Sequence, residues 1–139
     1  MLRSVLVVLA ALLLLGFIDQ TLERTLVGAL GGGAVSDAAS YVAIRNRPLV
    51  LGITVVTHTF AALLTGYLLG RLAGTHEVQH AMATAAIATL LILLASATPN
   101  VMLPPVWARV AMGVVTPPAL IAGAYIRGQA REIRAERSQ

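Results

Sequence analysis

Leu49 to Leu69 is a run of 21 residues without a formal charge. As a helix rising about 1.5 Å per residue it reaches about 31 Å, the thickness of a typical hydrocarbon core. Ala81 to Thr98 adds 18 residues of the same character, opened by the polar stretch Thr75 to His80 and closed by Pro99-Asn100. Val106 to Ile126 follows Pro104-Pro105, and proline suits the first turn of a helix, where the hydrogen donor it lacks has no partner. Pro117-Pro118 is predicted to kink this span and to free backbone carbonyls at membrane depth. Leu2 to Ile18 is a shorter span of about 26 Å. Arg3 before a leucine-rich run also matches the start of a signal peptide. Gly16-Phe17-Ile18-Asp19 offers no small-x-small cleavage site, so an uncleaved first helix is the reading adopted.

Composition agrees with a lipid environment. Hydrophobic residues make up 58% of the 139-residue chain before glycine is counted, against roughly 45–50% with glycine in soluble domains. Charged residues are 12% and the mean hydropathy is +0.83, which excludes a globule with a charged exterior. All ten basic residues are arginine, with no face that interleaves them with aromatics, so a nucleic-acid partner has no footprint. The bilayer, with its anionic headgroups, is the expected partner. The absence of cysteine excludes disulfides, thiolate nucleophiles and iron–sulfur clusters. No cofactor is expected.

Thr25 to Ile44 is apolar enough to raise a five-span alternative. Its glycines each cost about 1 kcal/mol of helix propensity, and Asp37 adds about 2.5–3.5 kcal/mol at a bilayer centre. The expected architecture is therefore an all-α, single-domain four-helix bundle, residues 1–139, with spans 2–18, 49–69, 81–98 and 106–126. A Gly-rich extracytoplasmic segment, interfacial or re-entrant, separates the first two spans. Arg3, Arg71 and the four tail arginines share one side, against Arg24, Arg45, Arg47 and Arg109 on the other. Six against four puts the Arg71 turn and the soluble tail 127–139 in the cytoplasm of a bacterial inner membrane.

Few residues carry chemistry. His76-Glu77-Val78-Gln79-His80 matches H-E-x-x-H, two imidazoles on one helical face with a glutamate as base. A third zinc ligand is missing before Glu132, so a solvated connector is preferred, and no metal site and no catalytic residue are assigned. His58 lies near the middle of the 49–69 span, where an ionisable group is costly and reads as functional by default. Its expected hydrogen-bond partner is a threonine, Thr54 four residues earlier or the adjoining Thr57 and Thr59, or a neighbouring helix's carbonyl, and a packing role through that bond is preferred over a proton or substrate pathway. No carboxylate falls within the expected spans to pair with it, which counts against a proton relay. Ala62, Gly66, Gly70 and Gly74 repeat every fourth residue, a small-residue row for close helix packing, with Ala119 and Gly123 as a matching surface. Packing inside one bundle is preferred over a homodimer seam. Gly31-Gly32-Gly33 lacks the lysine and the preceding strand of a phosphate loop.

Gly66-Tyr67, Arg71, Ala73-Gly74, His80-Ala81, Pro105-Val106-Trp107 and Pro118-Ala119 with Gly123 resemble a family of small four-span bacterial integral membrane proteins of uncharacterised function. The resemblance covers roughly the last 90 residues and implies a four-span bundle, without an activity. The expected role is non-enzymatic, in structure or in interaction with other membrane proteins. The alternative is a small channel or transporter subunit that uses His58 and the Pro117-Pro118 break. A zinc metalloprotease at residues 76–80 is the third reading.

Overall fold

The computed structural model describes residues 2–33, 37–98, 100 and 102–137. Residues 34–36 of the expected glycine-rich segment, Pro99 of the expected span closure and the last two residues of the tail lie outside the described residues. The described residues form an all-helical bundle: α1 Leu2–Gly31, α2 Ala38–Arg45, α3 Pro48–Ala73, α4 Glu77–Ala97 and α5 Val106–Glu136. Four of these, all but α2, are long and apolar enough to cross a membrane. Leu13, Phe17, Leu49, Phe60 and Val114 point outward, as lipid-facing side chains do, while the interior holds mostly small residues.

The helices run up, down, up and down. α3 packs most extensively on α5, α5 on α4, and α1 on α3; the α1–α4 seam is the loosest side of the ring. Two glycines explain the tightest seam. A Cβ on Gly66 would collide with the backbone carbonyl of Leu120, and one on Gly123 with the carbonyl of Leu63, so α3 and α5 touch backbone to backbone. Ala62 and Gly70 are buried on the same row, Gly70 against the Arg127 side chain. Gly74 belongs to the row only by spacing. It closes α3 with φ 72° and donates its N–H to Gly70 O at 3.3 Å, a backbone conformation that glycine adopts without strain.

Several boundaries differ from those expected. The first helix does not stop at Ile18 but continues through Asp19, Glu23 and Arg24 to Gly31. It ends where Gly32 takes φ 79° and Gly33 N donates to Gly28 O at 3.0 Å. That is the six-to-one bond of a Schellman cap, so the glycines terminate a helix instead of preventing one. Most of residues 25–44 is thus helical: the last turns of α1, then α2, whose N-terminus Asp37 caps by accepting from Ser40 N at 2.8 Å. Arg45, buried at the end of α2, donates to Met102 O at 2.6 Å and ties α2 to the α4–α5 connector.

At the opposite end, the polar stretch before α4 is mostly its first turn. His76 sits at the N-cap with φ 55°, and Glu77 already lies inside the helix. The tail extends α5 as helix to Glu136, and α5 runs unbroken through Pro117 and Pro118. Buried Glu77 pairs with Arg131 at 2.7 Å, Arg131 also donates to Gly74 O, and Arg3 donates to Leu72 O at 3.4 Å. These contacts strap the helices together at this end, beside an α1–α4 groove of about 470 Å³ lined by Ser4, Leu9, His80 and Ile87.

Candidate functional site

His58 on α3, Asp19 on α1 and Thr116 on α5 meet at one level. Each lies ten to twelve residues from the α2 end of its helix, about 15–18 Å deep at helical rise. His58 Nδ1 stands 2.8 Å from Asp19 Oδ2, and Nε2 stands 2.7 Å from Thr116 Oγ1. The Thr116 hydroxyl also reaches Met112 O at 2.6 Å. The carboxylate accepts, so Nδ1 carries a proton.

The hydroxyl then has two settings. With a neutral imidazole, Thr116 donates to Nε2. With an imidazolium, Nε2 donates to Thr116 Oγ1, and the hydroxyl turns to Met112 O. Both charge states of the ring are thus fully hydrogen-bonded.

This overturns two expectations. A carboxylate does partner His58: Asp19 falls one residue past the expected end of the first span, and α1 stays helical there. Thr54 does not bond the imidazole; it donates to Val50 O at 2.9 Å, while Thr57 and Thr59 donate to Thr54 O and Val55 O on the same helix. A threonine at membrane depth meets its need most cheaply on its own backbone.

Asp19 and His58 line a cleft of about 310 Å³ between α1 and α4, floored by α3 and roofed by Leu103 and Pro104. Thr54 and Thr57 also line it, with Leu12, Leu15, Leu91 and Ile92 as apolar walls. Gln20 and Glu23 line both this cleft and a second, more polar hollow of about 580 Å³ under α2, reached past Arg24, Asp37, Tyr41 and Arg45. Together the hollow and the cleft make a recess, adjoining at Gln20 and Glu23. Tyr41 donates to Glu23 Oε1 at 2.7 Å. Burial, then this bond to a carboxylate, push the Tyr41 phenol up to about 12. The Ser40 amide holds the exposed Asp37 carboxyl below its ordinary value. Neither proline of the Pro117-Pro118 pair, nor the Gly113 and Val114 carbonyls they leave without a ladder donor, lines the recess.

Arg109, in the first turn of α5, is 7% exposed and donates to Ala95 O near the end of α4. In the sequence it stands only as a charge on one face. The H-E-x-x-H run brings no third ligand to its histidines: among the described residues no group of three His, Asp or Glu side chains gathers. Glu77 is held by Arg131, and His80 Nδ1 lies 2.9 Å from His76 O on its own chain.

No protein-family model, no curated protein and no solved structure matches the chain.

Proposed function

We propose that the protein is a small transport subunit of a bacterial inner membrane, non-enzymatic, which admits a solute to the cleft from the α2 face and binds a proton at the Asp19–His58 pair. The observation that carries this reading, in preference to a purely structural or interaction role, is a histidine at mid-membrane depth with one ring nitrogen on a cleft-lining carboxylate and the other on a hydroxyl in the sealed core. The arginine distribution supports an Arg131 end in the cytoplasm, an orientation in which the recess faces outward and the Gly66–Gly123 seam packs the inner half of α3 against α5. The charged groups around His58 are Asp19 and Glu23 from α1 and Arg109 from α5.

The Asp–His–Thr order also has the geometry of a nucleophile activated by a base. Thr116 is 0% exposed and does not line the cleft, so no acyl substrate reaches it and the relay reading is preferred.

Proteoliposomes loaded with a pH-sensitive dye test the proposal. After an external acid step, protons enter wild-type vesicles faster than protein-free ones. His58→Gln and Asp19→Asn fall to the protein-free rate, and His80→Gln keeps the wild-type rate. A wild-type rate equal to that of empty vesicles, or undiminished in His58→Gln, overturns it.

A further inference from the structure

Three buried side-chain atoms have no hydrogen-bond partner among the described residues: Thr65 Oγ1, Thr89 Oγ1 and Arg109 Nε. Only Arg109 belongs to the cleft wall. Its guanidinium is also the one formal cation on that wall, and no ion pair among the described residues includes it. The two acids of the cleft are served otherwise, Asp19 by the imidazole and Glu23 by the Tyr41 hydroxyl. One guanidinium nitrogen is accounted for by Ala95 O, where the cation also meets the negative end of the α4 dipole. That contact explains why an arginine is tolerated in the first turn of α5, and leaves its Nε–H unanswered. A buried cation with an unused donor is destabilising until an anion meets it.

The rest of the wall says what kind of anion. Leu12, Leu15, Leu91 and Ile92 make it predominantly apolar, and the volume sits at the small end of ligand pockets. Asp19 and Glu23 on the facing wall raise the cost of a divalent head. We infer that the cleft binds a small amphipathic monocarboxylate, its head on Arg109 and its chain along the α1–α4 seam. This deepens the transport reading by naming its solute class, yet the site is tested by binding alone.

The protein in lipid nanodiscs is loaded with a fluorescent fatty-acid analogue bearing a dansyl group, and displacement is measured against empty nanodiscs. Decanoate displaces the probe about tenfold better than decanol, decyl phosphate or decyltrimethylammonium, a preference of the size one charge-assisted contact gives. Arg109→Gln abolishes the preference of decanoate over decanol. Leu12→Trp, which fills the apolar end, weakens decanoate and decanol together and keeps their ratio. Equal displacement by decanoate and decanol in the wild-type protein, better displacement by decyl phosphate or the ammonium, or an unchanged preference in Arg109→Gln each overturns the inference. The wild-type ligand series decides even if the arginine variant does not fold. Carboxylate binding without proton entry leaves the site standing and removes the transport reading; proton entry without carboxylate preference does the reverse.

Discussion

His58 and Asp19 are 39 positions apart in the chain and 2.8 Å apart in the fold, on helices α3 and α1 that cross the same depth side by side. The imidazole side chain is 5% exposed and the carboxylate 29%, so the pair spans the boundary between sealed core and open cleft. On the transport reading the more exposed member meets the recess while the other stays anchored to Thr116.

Replacing Asp19 with asparagine keeps the volume and removes the charge. Stability falls by about 1.5–3 kcal/mol, the range for a hydrogen bond to a charged group, reduced by the residual exposure of the carboxylate. Unfolding in a mild detergent measures it. An Asp19→Asn variant as stable as wild type contradicts the paired assignment.

The α3–α5 seam makes a sharper distinction. Gly66→Ala and Gly123→Ala place a methyl group against backbone, which cannot yield by a rotamer change, so each costs about 1–3 kcal/mol or more. Gly52→Ala has open space around its Cβ and stays near or above wild-type stability, since alanine favours helix. Thermal unfolding of the three variants, with Gly52→Ala unaffected and the other two lowered, is the expected order.

The strap at the far end is asymmetric. The Arg131 side chain is 44% exposed and that of Glu77 9%. Arg131→Ala strands a buried carboxylate, whereas Glu77→Ala frees an arginine that water can solvate. The arginine variant therefore loses about 1–3 kcal/mol and the glutamate variant less than about 1 kcal/mol. Equal losses in chemical denaturation contradict this.

Tyr41 gives a pH signature. Its phenol is raised from 10.0 to about 12 by burial and by Glu23, so the folded state favours the protonated form. That contribution is complete below pH 10 and is lost as pH climbs toward about 12. Tyrosinate absorbance should show a late-titrating residue that disappears in Tyr41→Phe. Asp37 has the opposite sign: its capping contribution is present above pH 3.8 and fades as pH falls through its lowered value.

What the chain reveals before folding follows from the range of each interaction. The spans of α3, α4 and α5 are legible because an apolar run of that length, charge-free in α3 and α4 and interrupted only by Arg109 in α5, has one economical structure in lipid. The row from Ala62 to Gly70 is legible because helical spacing puts it on one face. His58 stands out as an ionisable group inside a span. Its partners do not, since Asp19 and Thr116 reach it only through tertiary packing. Ending the first span at its first carboxylate hid Asp19, although an acid that completes a polar pair inside a bundle need not leave the helix. The glycines at 31–33 have the local propensity of helix breakers, and their work in the fold is a C-terminal cap. Arg109 counted toward orientation, and nothing local marks its guanidinium as buried beside a cleft.

The transport reading requires that water reach His58 from the α2 face. The natural chain has no cysteine, so a single Thr57→Cys variant reports on the cleft wall beside the imidazole. In oriented vesicles, a membrane-impermeant maleimide applied from the α2 side should label Thr57→Cys, while Ala85→Cys in the packed core stays unlabelled from either side. Labelling of Thr57→Cys only from the Arg131 side, or not at all, contradicts the account.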